Sequence, residues 1–141
     1  MVADPAYESV VTPLLLEVLD APPNARLLDL GCGDGRVMRA VAADGLEVVG
    51  VELVPALART ALRNGPVVVG RLPEELPFRT ASFDGAYLVL VLEHVEDHQS
   101  VFESVARVVR PGGSLSLVIN HPPWTTPGST PITDEEGAVL G

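Results

Sequence analysis

The stretch Leu28-Asp29-Leu30-Gly31-Cys32-Gly33-Asp34-Gly35 joins an apolar run at residues 25–30 to a helical period at residues 35–43. A short apolar run that stops at glycine reads as a buried strand, and the segment after it reads as a helix. Gly31 and Gly33 carry no Cβ and reach positive φ at little cost, so a ligand can lie almost against the backbone there. One strand further on, the apolar run at residues 46–51 ends at Glu52. A carboxylate in that place can accept hydrogen bonds from both hydroxyls of an adenosine ribose. Together, a glycine loop after one strand and an acid after the next point to a nucleoside ligand.

The pattern continues on both sides of this pair. Residues 55–63 read as a helix, with Pro55 in its first turn and Asn64-Gly65-Pro66 at its end. Residues 67–69 are a brief strand, and residues 83–92 a strongly apolar one. Residues 98–109 place Val101, Phe102, Val105, Val108 and Val109 on one helical face, with Asp97 as N-cap. Arg110-Pro111-Gly112-Gly113 reads as a turn into a last strand at residues 114–120. Towards the N-terminus, Val10, Val11, Leu14, Val18 and Leu19 suggest a helix. Thr12-Pro13 is then its N-cap and first residue, or a kink within it. Strands alternating with helices predict an α/β, three-layer, doubly wound Rossmann-like fold with a mainly parallel sheet. The expected organisation is an N-terminal helical segment at residues 1–24, an α/β core at 25–120 and a Pro-, Gly- and acid-containing tail at 121–141. All of it belongs to a single domain, and ligands of such folds bind at the carboxyl ends of the strands.

Composition removes several alternatives. The 141 residues carry 9 basic and 19 acidic side chains, a net charge of −10. That balance argues against binding a nucleic-acid backbone or an anionic membrane. Every basic residue is Arg, so a Lys Schiff base and a phosphate-loop Lys are excluded. The single cysteine, Cys32, leaves no disulfide within the chain and no multi-cysteine zinc site. No apolar run approaches the roughly 20 residues of a membrane span, and the N-terminus has no basic leader. The expectation is a cytoplasmic protein.

The spacing of the loop narrows the ligand. The dinucleotide pattern is G-x-G-x-x-G, whereas here Gly31, Gly33 and Gly35 bring the third glycine one residue early and Arg36 stands in its place. Asp29 adds negative charge at the strand end, which suits a ligand with a cationic end better than a pyrophosphate. S-adenosyl-L-methionine carries both a sulfonium and an ammonium. The segment LLDLGCGDGRVMRAVA resembles motif I of class I S-adenosylmethionine-dependent methyltransferases. VVGVEL, LPEELPFRTASFDGAYLVLVLEHVED and ARVVRPGGSLSLVI resemble the family's later motifs in the same order. The resemblance covers about residues 25–120 and falls nearest the type 11 small-molecule subgroup, which includes quinone-biosynthesis enzymes.

The resemblance implies roles position by position. Asp29, Gly31 and Gly33, with the backbone of Cys32, match the loop that holds the methionine part of the cofactor. Glu52 matches the ribose-binding acid and Leu53 a position that packs on the adenine. Leu90 and Val91 match the end of the fourth strand, beside the methionyl group. Many members place an Asp against the adenine amino group in Gly-Asp-Ala-Glu before Leu-Pro-Phe. Here that place falls on Leu72, or on Arg71 with a gap, and a backbone contact from Leu72 would replace the side chain. The implied reaction is methyl transfer to a small-molecule acceptor, with S-adenosyl-L-homocysteine as product. The family has seven strands and five can be placed, so the C-terminal strands are expected to be absent. The fifth strand would then be an exposed edge, open to pairing.

Other residues invite functional readings. His94 and His121, both just past strands on the active edge, are candidates for a catalytic base; neither has a second ligand at metal spacing, so no metal is expected. Asn120-His121-Pro122-Pro123-Trp124 is similar to the (Asp/Asn)-Pro-Pro-aromatic motif of amino-group methyltransferases. It follows the fifth strand rather than the fourth, and His121 replaces the required Asp or Asn, so the match is rejected. Trp124 can wall a substrate pocket, and Tyr7 can close over the cofactor. Cys32 reads as a small residue in a crowded loop, not a nucleophile. Two other classes stay open: a cofactor-binding module without independent turnover, and an NAD-type oxidoreductase.

Overall fold

The computed structural model describes residues 5, 7–72, 74 and 76–120. Five parallel strands form one sheet in the order β3-β2-β1-β4-β5. They are β1 (Arg26–Leu30), β2 (Glu47–Glu52), β3 (Val67–Val69), β4 (Phe83–Val89) and β5 (Val109–Val118). The helices are α1 (Thr12–Leu19), α2 (Arg36–Ala43), α3 (Pro55–Ala61) and α4 (His98–Val108). The reversal of strand order falls between β1 and β4, so the turns after β1 and β4 open a crevice at the carboxyl edge of the sheet.

Side chains alternate across each strand, so a strand covered on both faces has to be apolar along its whole length. In β1, Leu27 joins a core with Leu15, Leu19, Met38, Val41, Val48 and Tyr87, while Leu28 and Leu30 join a second core with Val49, Val51, Leu88, Val101 and Val105. The first core lies under α1 and α2, the second under α4. Asp97 caps α4 as expected: its Oδ1 accepts from the Ser100 N–H at 3.0 Å and its Oδ2 from the Ser100 hydroxyl at 2.6 Å.

Several local expectations are corrected. The fourth strand stops at Val89 rather than at residue 92, because Leu90 takes φ +54° and the chain turns into a short 3-10 helix, Leu92–His94. The Arg110–Gly113 segment is not a turn ahead of a separate strand. β5 already begins at Val109, and an irregular bulge separates the pair Phe83–Val109 from the pair Gly85–Ser114. Pairing then runs to Val118, two residues short of the expected end. Thr12 does not cap α1: a π-helical turn, Tyr7–Val11, leads directly into it, and Leu15 and Leu19 make its buried face while Val10, Leu14 and Val18 are exposed. Phe102, placed on the inner face of α4 by periodicity, is 38 % exposed at the edge of that face. Among the described residues, β5 is an edge strand, as expected from five strands. No helix among the described residues is long and apolar enough to cross a membrane.

Asp84 ties the lower edges of three strands together. Its carboxylate accepts from the Arg26 N–H at 2.7 Å and from the Arg110 Nε at 2.8 Å. The Arg26 amide and then the Arg110 guanidinium hold its pKa below the usual carboxylate value. Asp84→Ala should cost about 1 kcal/mol in urea denaturation at pH 7, as for a typical hydrogen-bonded pair near the surface. A depressed carboxyl contributes stability above its unfolded pKa and loses it as pH falls through the folded one, so the gap between wild type and variant should close below about pH 4.

Close packing at Gly50 generates a second expectation. A Cβ built there would lie 2.6 Å from Cys32 Sγ and 2.8 Å from Met38 Sδ. Gly50→Ala should lower stability by roughly 1–3 kcal/mol through overpacking, seen as a lower thermal midpoint, because Cys32 sits in the loop that cannot move away freely.

Candidate functional site

The turn from β1 to α2 is built on the carboxyl end of its neighbour. The Gly31 and Cys32 N–H groups both donate to the Val51 carbonyl, at 2.8 and 3.0 Å. The Gly35 N–H donates to the Cys32 carbonyl at 3.0 Å and closes the loop. Gly31 has φ +78°, and a Cβ on it would lie 2.6 Å from Val91 Cγ2, so glycine is required for both conformation and space. At Gly33 the position of a Cβ meets nothing within 4 Å. The loop is therefore packed against the turn after β4 at its start and open at its crest.

Glu52 braces this loop from the next strand. Its Oε2 accepts from the Gly33 N–H at 2.7 Å and its Oε1 from the Val54 N–H at 3.1 Å, and the residue is 8 % exposed. Each carboxylate oxygen keeps acceptor capacity beyond these bonds. Sequence reasoning assigned Glu52 to a ribose; the structure adds that it fixes the glycine loop.

Asp29 is 2 % exposed. Burial pushes its carboxyl up to about 7; the Tyr87 hydroxyl nearby pulls it partly back and the Glu52 charge raises it further. The two do not complete a hydrogen bond: Asp29 Oδ2 and Tyr87 Oη are both buried without a partner. Burial, then the charges of Asp29 and Glu52, push the Cys32 thiol up to about 12, which leaves it an inert packing group. Asp34 is held below the usual carboxylate range by the hydrogen bond from the Arg36 side chain. An unpartnered buried carboxylate oxygen beside an open backbone cradle fits a ligand whose nearby end is cationic.

A cleft of about 270 Å³ opens beside the loop, and Gly31, Glu52, Leu53, Leu72, Val91 and His94 line it. These are six of the expected site residues. Asp29, Cys32, Gly33 and Leu90 do not line it. Asp29 and Cys32 lie buried behind it, Leu90 packs against the core under α1, and Gly33 sits half-buried on the crest. Leu53 is exposed and so is His94, at the rim. His121 and Trp124 lie outside the described residues, as does the side chain of Tyr7. Arg71, the gapped alternative to Leu72, lines the cleft too, and so do Val51, Gly70 and Val95, which were not singled out as site residues from the sequence. Gly70 was within reach of the same rule that found Glu52, since it directly follows β3 on the same edge. The role of Tyr87 was hidden in an apolar strand until the register placed it opposite Asp29. Among the described residues, no group of three or more His, Cys, Asp or Glu side chains is placed to hold a metal ion.

Comparison with known proteins agrees with this geometry. A family model described as a methyltransferase domain, of type 11, matches residues 28–117. A ubiquinone biosynthesis O-methyltransferase of Xanthomonas axonopodis pv. citri is 35 % identical over 124 residues, covering 80 % of this chain and 52 % of that protein. The crystal structure of an S-adenosylmethionine-dependent methyltransferase from Mesorhizobium loti superposes with a TM-score of 0.77 at 31 % identity, covering 89 % of this chain and 60 % of that one. A geranyl diphosphate C-methyltransferase from Streptomyces coelicolor, solved with Mg²⁺, geranyl diphosphate and S-adenosyl-L-homocysteine, gives a TM-score of 0.68 at 26 % identity, covering 77 % and 45 %. The chain thus spans between two-fifths and three-fifths of the length of these relatives. The nicotinamide alternative finds no support among them. The family match runs from within the first strand of the sheet to within the last, and the chain belongs to the type 11 methyltransferase-domain family of the class I S-adenosylmethionine-dependent methyltransferases.

Proposed function

We propose that the chain binds S-adenosyl-L-methionine and takes part in methyl transfer to a small-molecule acceptor. The observation that carries this reading is the pair of buried carboxylates, Asp29 and Glu52, on either side of a glycine loop whose crest is open. Residues 25–120 are the cofactor-binding core in this reading, and residues 121–141 lead out of it. Relatives that methylate oxygen and carbon support an acceptor from among small organic molecules. The acidic composition and lone thiol support a cytoplasmic location.

When bound, the cofactor supplies a methyl group already activated on a sulfonium. The protein's task is then to position and orient. Glu52 would take the ribose hydroxyls on the acceptor capacity left by Gly33 and Val54. Leu53 and Leu72 would wall the adenine, and Asp29 with the loop from Gly31 to Gly33 would hold the cationic methionine end. Orienting two reactants in this manner can supply roughly 7–11 kcal/mol of a barrier. A general base is required only for an acceptor that is a poor nucleophile at neutral pH. His94, at the rim of the cleft, is the candidate among the described residues, and His121 is the candidate outside them. The second reading, a cofactor-binding module without independent turnover, is supported by the share of its relatives' length that the chain spans.

Calorimetric titration separates the classes. S-adenosyl-L-homocysteine should bind and NADH should not; tight NADH binding without S-adenosyl-L-homocysteine binding would overturn the proposal. Glu52→Ala should weaken S-adenosyl-L-homocysteine binding by roughly ten- to one-hundredfold, the value of one hydrogen-bonded charged group. Unchanged affinity in that variant would remove Glu52 from the site.

A further inference from the structure

On the face of the sheet turned toward α1 and α2, one row of register partners is both polar and buried. Asp29 on β1 is the register partner of Tyr87 on β4, and Tyr87 is the register partner of Ser116 on β5. All three are buried, Tyr87 completely. On the β2 side, the register partner of Asp29 is Gly50, which presents no side chain. Parallel neighbours lie about 4.8 Å apart, so side chains on register partners stand side by side.

Tyr87 stands at the centre of this row. Phenylalanine would fill nearly the same volume without burying a hydroxyl, and an unsatisfied buried hydroxyl costs roughly 1–3 kcal/mol. Among the described residues, Tyr87 Oη and Asp29 Oδ2 are the buried side-chain polar atoms that lack a partner. One is a donor and the other an acceptor, and they belong to adjacent residues of the same row. Burial, and then the Asp29 charge, push the Tyr87 hydroxyl far above its usual range, so it keeps its proton and can donate it to a hydrogen bond. Burial pushes the Asp29 carboxyl up to about 7, so it exchanges its proton in the neutral range rather than near pH 4. The other titratable groups around Asp29 are Glu52 at the end of β2 and, in the loop, the Cys32 thiol, with Asp34 beyond it. On this side α1 and α2 contribute Leu15, Leu19, Met38 and Val41, all apolar.

We infer that Tyr87 is a positioning residue for cofactor binding: its hydroxyl donates to Asp29 when that carboxyl ionises beside the ammonium end of the ligand, and binding thereby releases a proton. The inference rests on the cofactor reading above. The proton leaves Asp29 for solvent, the ligand arrives with its ammonium already charged, and Tyr87 keeps its own proton throughout. Without the tyrosine hydroxyl, Asp29 would ionise, and the site would take its ligand, only at higher pH.

The test is calorimetric titration of the full chain with S-adenosyl-L-homocysteine between pH 5.5 and 8.5, in buffers of different ionisation enthalpy. The affinity of wild type should rise by up to about tenfold per pH unit as pH increases toward 7 and level off above pH 8, with release of up to one proton below pH 7 that fades above it. Tyr87→Phe should move that midpoint up by about one pH unit. It should bind roughly tenfold more weakly at pH 7, with the gap narrowing to a few-fold at pH 8.5. Uniform weakening at every pH, or an unchanged midpoint, would show a packing role and overturn the inference. Asp29→Asn gives an independent check should Tyr87→Phe not fold: it should bind with no proton release, and retained proton release would overturn the inference. Absence of S-adenosyl-L-homocysteine binding by wild type at every pH would instead defeat the cofactor reading, and this inference with it.

Discussion

The carbonyl of Val51 accepts two backbone N–H groups, from Gly31 and Cys32, and the geometry of the site depends on that shared acceptor. It ties the first turn of the glycine loop to the end of the neighbouring strand. With the loop anchored there, the next residue of β2, Glu52, reaches the Gly33 N–H with its side chain. Gly31 can then press against Val91 only because it has no Cβ. Three elements, the turns after β1, β2 and β4, are thus held in register around one cleft. A parallel sheet supplies this arrangement because all of its carboxyl ends lie on one edge.

The electrostatics of that edge carry a cost in the free protein. Asp29 and Glu52 bring two carboxyls into low exposure in a chain that already has a net charge of −10. Glu52 is compensated by two backbone donors, whereas Asp29 has an unpartnered oxygen and its pKa is raised. For a carboxyl raised in this manner, the stability is fully present below the unfolded value near 4 and is lost as pH rises through about 7. At neutral pH the free protein therefore bears most of that loss, and a cation at the site would offset it. Strain of this kind belongs with function rather than with folding.

Much of the architecture was legible in the sequence. Near-continuous Val and Leu runs gave parallel strands, and glycines and prolines marked most of the boundaries. The misplacements have physical causes. Leu90 occupies left-handed backbone space, which no propensity of leucine announces, and so the fourth strand ended early. The Arg110–Gly113 segment has the composition of a turn, yet β4 lies alongside and its pairing carries the chain through a bulge. On α1, Leu14 and Val18 fit a helical period but face outward, because the helix is rotated to set Leu15 and Leu19 on the sheet.

By itself the sequence determined the order of elements, the strand-edge location of the glycine loop and the acid after the next strand. These follow from local rules: side-chain periodicity, the backbone freedom of glycine and the alternation of strand with helix. Only the tertiary structure decided that Glu52 holds Gly33, that Leu72 and His94 share one cleft with Glu52, and that Asp29 faces Tyr87. Those contacts join residues up to 58 positions apart through strand register, as Asp29 and Tyr87 show. Register is a property of paired strands and their common core, and no single stretch of chain contains it.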